Sequence, residues 1–185
     1  MISNVIQQQR GPRHPHHRPR HHQFIKSKDM SKKKLVIAVD FNGTCVTYCY
    51  PEGTGEDIGA VPVLKRLLAE GHQLVLMTGI ERDGEFELPI VKDRWDDMLK
   101  WVEDNGLTFV GINRNPLEKY RSKKLTADIY IDDHCLGIPT IFDEKRSNRP
   151  FVDWDGVEQL LEMMNVLPAT PRTHITVKQP TFQYK

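Results

Sequence analysis

Asp40, Thr78, Lys124 and the pair Asp132-Asp133 are the residues whose types and order could do chemistry together. Asp40 ends the apolar, β-branched run Leu35–Val39, which three lysines precede. A carboxylate held there is a potential nucleophile toward phosphorus. Gly43 and Thr44 follow, offering backbone N–H groups and a hydroxyl to an anion. Thr78 and Gly79 end a second apolar run, Gln73–Met77. The Thr78 hydroxyl suits a phosphate oxygen, and Gly79 lets the backbone come close. Asp132 and Asp133 end a further run, Asp128–Ile131, and with Asp40 present the hard oxygen ligands that Mg²⁺ takes. A phosphoryl group in transfer is itself negative, so carboxylates around it need a cation between them. A lysine is needed as well, and Lys123 or Lys124 is placed to supply it.

The elements that carry these residues follow from periodicity. Leu35–Val39 reads as a strand buried on both faces of a parallel sheet. Apolar residues at Val61, Leu64, Leu67 and Leu68 predict an amphipathic helix over Gly59–Glu70, ended by Gly71. Gln73–Met77 is a second strand, Ile90–Asn105 a second helix, Phe109–Ile112 a third strand and Asp128–Ile131 a fourth. Asp153 or Asp155 caps a last helix, Val157–Met164. Alternating strands and helices imply an α/β fold with right-handed crossovers, so every strand's carboxyl end lies on one edge. Asp40, Thr78 and Asp132/Asp133 all stand at such ends, where open α/β sheets bind ligands.

In this order, Asp40-Phe41-Asn42-Gly43-Thr44, Leu74–Gly79, Lys124 and Tyr130-Ile131-Asp132-Asp133 resemble the four motifs of the haloacid dehalogenase (HAD) superfamily. The resemblance spans roughly Leu35 to Met164. It implies a three-layer, Rossmann-like, mostly parallel sheet with helices on both faces. It further implies a Mg²⁺-dependent phosphohydrolase acting through an aspartyl-phosphate. Asp40 is then the nucleophile, Thr78 binds the phosphoryl group and Lys124 steadies both. Asp132, Asp133, Asp40 and the backbone carbonyl of Asn42 form the Mg²⁺ site, with Asp133 the direct ligand and Asp132 acting through water. His134, next to the acidic pair, could touch substrate or simply cap the turn. Members of the superfamily that alternate acid and base carry Asp where this chain has Asn42. An amide neither donates nor removes a proton as a carboxyl does, and proton transfer is worth about 10²–10⁴-fold. There is no room for a large cap domain, so only residues 48–58 and 80–89, with Arg82 among them, are left to shape the pocket.

Composition bounds the rest. The 185 residues suit one domain, expected over 35–165, with tails at 1–34 and 166–185. Up to Lys34 the chain holds nine Lys/Arg and one acid, against 17 basic and 24 acidic residues in the remainder. The first segment, with its His-rich tract, is expected to be disordered, and the second tail extended. No apolar run approaches a membrane span and no signal peptide is evident. Three cysteines without zinc-type pairing suit a reduced, cytoplasmic protein. The expected partner is a small phosphorylated substrate. The basic tail allows nucleic acid, and an open site allows a second copy of the chain to close it. Two other functions fit the same residues: a phosphate- or nucleotide-binding protein marked by Asn42, and a nucleic-acid-end phosphatase tethered through the tail.

Overall fold

Leu35, Ile37, Ala38 and Val39 are all fully buried, as a strand covered on both faces requires. In the computed structural model this strand, β1 (Val36–Asp40), is one of the two central strands of a four-stranded sheet. Residues 33–48, 55–80, 89–119 and 122–171 are described here, with the side chains of 89–93 set aside. The remaining elements are α1 (Ala60–Ala69), β2 (Gln73–Met77), α2 (Pro89–Asp104), β3 (Gly111–Ile112), β4 (Ile129–Ile131), β5 (Thr140–Ile141), β6 (Phe151–Val152) and α3 (Trp154–Met163). The sheet runs β3-β2-β1-β4 with every pairing parallel. The fold is α/β and Rossmann-like.

Register aligns the chemistry. Asp40 pairs with Met77, so Thr78 emerges one strand over. Val39 pairs with Ile131, so Asp132 emerges on the other side of Asp40. Leu76 pairs with Ile112, which brings Asn113 to the same edge beyond Thr78.

The helices depart from expectation. Going from β1 to β2 to β3 moves one way across the sheet, so two right-handed crossovers put α1 and α2 on one face. α3 docks beside α1, where Arg66 pairs with Glu158 and, at 3.1 Å, with Glu162. All three helices feed one core, including Leu64, Met98 and Val157, with Ile37, Val39, Leu74 and Leu76 beneath. The return from β3 to β4 contains no helix among its described residues, so a helical layer on the second face is not formed there.

Local signals explain the ends. Gly59 precedes α1 with φ 94°, and Asp153 caps α3 by accepting from the Gly156 N–H at 3.4 Å. The third strand is two residues rather than four, and Asp128 lies outside the fourth. Its carboxylate instead accepts from the Val36 N–H at 2.9 Å and from Lys33 at 2.5 Å. The core also reaches past residue 165: Val166 and Leu167 are buried. Buried His72 ties them in, its Nδ1 accepting from the Leu35 N–H at 3.2 Å and its Nε2 lying 3.0 Å from the Val166 carbonyl. No helix of the described residues is long and apolar enough to cross a membrane. The expectations for the basic His-rich segment, for 81–88 and for the tail beyond 171 fall outside the described residues.

Candidate active site

The turn after β1 builds the site. Phe41's carbonyl accepts from the Cys45 N–H at 2.8 Å and from the Val46 N–H at 3.2 Å, folding residues 41–46 into a compact bend. Gly43 sits at φ 81°, and a Cβ there would lie 2.7 Å from Asp133 Oδ2. Its N–H donates to the Val46 carbonyl at 2.7 Å. Thr44 is fully buried. Its hydroxyl donates to Asp40 Oδ2 at 3.3 Å and accepts from the Asp133 N–H at 3.0 Å. Behind it, the Trp154 indole N–H donates to the Thr44 carbonyl at 2.6 Å.

Asp40 therefore meets the acidic pair across one hydroxyl. Burial pushes its carboxyl up from 3.8 to about 7, against the Phe41 N–H, and the charges of Asp132 and Asp133 push the same way. Burial also raises Asp133, with Asp132 adding to it and His134 and Arg149 opposing. The Asp133 side chain is only 6% exposed, and its Oδ1 lies 3.0 Å from His134 Nδ1. Apart from that imidazole nitrogen, no donor among the described residues reaches the buried Oδ1. Asp132, Asp133 and His134 bring one ligand atom each within 4.8 Å of one another. An otherwise orphaned buried carboxylate oxygen among such ligands fits a metal ion.

Beyond the pair, Arg149 Nη2 lies 2.7 Å from His134 Nε2 and 4.0 Å from Asp133 Oδ2. Its guanidinium stacks 4.4 Å from the centroid of the Tyr48 ring. On the other flank the Asn113 carboxamide clamps the Thr78 backbone. Oδ1 accepts from the Thr78 N–H at 2.8 Å, and Nδ2 donates to its carbonyl at 2.7 Å. The Thr78 hydroxyl accepts from the Ile80 N–H at 3.1 Å.

A solved structure of a conserved protein from Bacteroides thetaiotaomicron is 32% identical to this chain. The match covers 71% of this chain and 92% of that one, with a TM-score of 0.52. The chain belongs to the family of that conserved protein. No family model and no curated protein matches it.

Within this family member, Asp40, Thr78 and Asp132/Asp133 gather at one sheet edge as their order implies. Asn42 is half-buried, and its side-chain amide bonds to no described residue. Gly79 is exposed with open space where a Cβ would go, so close protein packing does not demand glycine there. One assignment changes. Thr44 and Gly43 are not free to bind phosphate: the hydroxyl is engaged by Asp40 and the Asp133 N–H, and the Gly43 N–H is spent inside the turn. Thr44 is instead a positioning residue for the two carboxylates. Among the described His, Cys, Asp and Glu side chains, the close ligand group is Asp132, Asp133 and His134, with Asp40 joined to it through Thr44. Lys124 is exposed, and the charges acting on Asp40 are those of the acidic pair rather than its own.

Sequence reasoning passed over Asn113 and Arg149, and left the role of His134 open. Asn113 carries one usable signal, an amide residue one place after a strand. Arg149 carries none, because the β5–β6 pair that delivers it is too short to read.

Proposed function

We propose that this chain is a phosphohydrolase of the HAD type, in which Asp40 attacks phosphorus and forms an aspartyl-phosphate. One observation carries the reading: three carboxylates share a sheet edge, one raised to about 7 and another with a buried oxygen that no described donor but His134 reaches. Such a group stays ionised together only around a cation. The hard oxygen atoms of Asp132, Asp133 and Asp40 favour Mg²⁺ as that cation. When bound, Mg²⁺ supplies positive charge that keeps Asp40 ionised and offsets the charge of a phosphoryl group.

The chain's own residues do the remaining work. Asp40 Oδ1 presents the attacking lone pair while Thr44 holds Oδ2, fixing the carboxylate's rotation. Thr78, held by Asn113, donates its hydroxyl to a phosphoryl oxygen. Lys124 supplies a second positive charge to the same group. Asn42 provides no proton for the leaving oxygen, so esters with acidic alcohols react fastest. Because an amide at position 42 can neither give nor take the proton, a second reading also stands: a protein of this fold that binds phosphate without turning it over.

Phosphate release from an aryl and an alkyl ester separates the two readings. Wild type with Mg²⁺ should cleave the aryl ester, Asp40→Asn should not, and Asn42→Asp should gain the alkyl ester by about 10²-fold or more. No turnover by either wild type or Asn42→Asp would favour the binding protein.

A further inference from the structure

Arg114, Lys123 and Lys124 line one cavity of about 180 Å³ that opens at the carboxyl end of β3. Asn113, the residue that clamps Thr78, lines it too. None of the three cations forms an ion pair with a described residue, and Glu118 is the single acid in the lining. The walls are built rather than incidental. Asn115 Nδ2 donates to the Thr126 carbonyl at 2.9 Å and its Oδ1 accepts from the Leu117 N–H at 3.0 Å, tying the two sides together. Gly111 has no room for a Cβ because the Arg114 carbonyl turns back over it.

Three cations with no ion partner among the described residues, set around a braced concavity, offer the charge that an anion needs. The volume suits a phosphate or carboxylate with a short linker, well below the roughly 300–1,000 Å³ of a drug-sized pocket. β3 lies two strands from β1, so the cavity's Asn113 wall is displaced from Asp40 by roughly 10 Å.

We propose that this cavity binds a second anionic group of the substrate, so that the preferred phosphomonoesters carry a further phosphate or carboxylate roughly 10 Å from the scissile one. The placement of the scissile group rests on the phosphohydrolase reading. The cavity's affinity for an anion does not. Acidic substrates of this shape would bridge the two sites, with Arg114, Lys123 and Lys124 holding the distal group.

Calorimetric titration of full-length Asp40→Asn with Mg²⁺ tests this without turnover. The probes are hexyl phosphate, hexane-1,6-diol bisphosphate and 6-phosphonooxyhexanoate. At least one doubly anionic probe should bind about tenfold or more tightly than hexyl phosphate. Adding Arg114→Gln and Lys123→Gln should erase that advantage while leaving hexyl phosphate unchanged. Equal binding of all three probes, or an advantage that survives both substitutions, would overturn the proposal. If hexyl phosphate fails to bind, the phosphohydrolase reading fails. Binding of a doubly anionic probe that depends on Arg114 and Lys123 would still uphold the anion cavity, and its absence would overturn that too.

Discussion

Thr44 joins Asp40 to Asp133: one buried hydroxyl donates to the first carboxylate at 3.3 Å and accepts from the backbone N–H of the second residue at 3.0 Å. The strand ends of β1 and β4 are thereby locked in one relative placement. Thr44→Val keeps the shape and deletes both bonds, leaving the Asp133 N–H unpaired. The expected cost is about 1–3 kcal/mol of stability, read by denaturant unfolding. Phosphate release should fall by about 10–100-fold through the misplaced carboxylate. Thr44→Ser should recover most of both. An active Thr44→Val would show that the two carboxylates need no such bridge.

The raised Asp40 makes stability depend on pH in a definite direction. Between the ordinary value of 3.8 and about 7, the folded chain holds a proton that the unfolded chain has lost. Stability therefore falls as pH rises across that window, by at most about 1.4 kcal/mol per unit. Asp40→Asn should flatten this part of the profile and be the more stable protein near pH 8 without divalent cations. Mg²⁺ should raise the melting temperature of wild type at that pH by binding the folded state. A profile unaffected by Asp40→Asn would remove the electrostatic basis of the site.

Asn113 sits at φ 52°, a conformation asparagine tolerates better than most side chains. Asn113→Ala loses two bonds to Thr78 and adds backbone strain, whereas Asn113→Gly loses the bonds alone. Gly should be the more stable of the two by about 1 kcal/mol. Both should weaken phosphate-ester binding, seen as a higher KM, because Thr78 is no longer held. A KM unchanged in both would mean that Thr78 keeps its position without the clamp.

The sheet was legible because its central strands are continuous apolar runs and its first two helices repeat at three and four residues. The convergence of Asp40, Thr78 and Asp132 was legible for the same reason, since parallel order alone puts them on one edge. Thr44 was misread because its hydroxyl is claimed by Asp133, a partner 89 residues away that no local pattern indicates. Which face each helix takes was not legible: strand order places two successive crossovers on one side, and order is not written in periodicity. Asn113 and Arg149 were missed because their roles come from register and from a two-residue strand pair, neither of which leaves a periodic trace.

The central claim is that Asp40 takes the phosphoryl group covalently. Acid quenching during steady-state turnover of an aryl phosphate with Mg²⁺, followed by peptide mass analysis, tests it directly. The expected product is a peptide containing Asp40 that is heavier by one phosphoryl group, acid-stable, lost on alkaline treatment and absent from Asp40→Asn. Phosphate release with no modified Asp40, together with turnover persisting in Asp40→Asn, would contradict it.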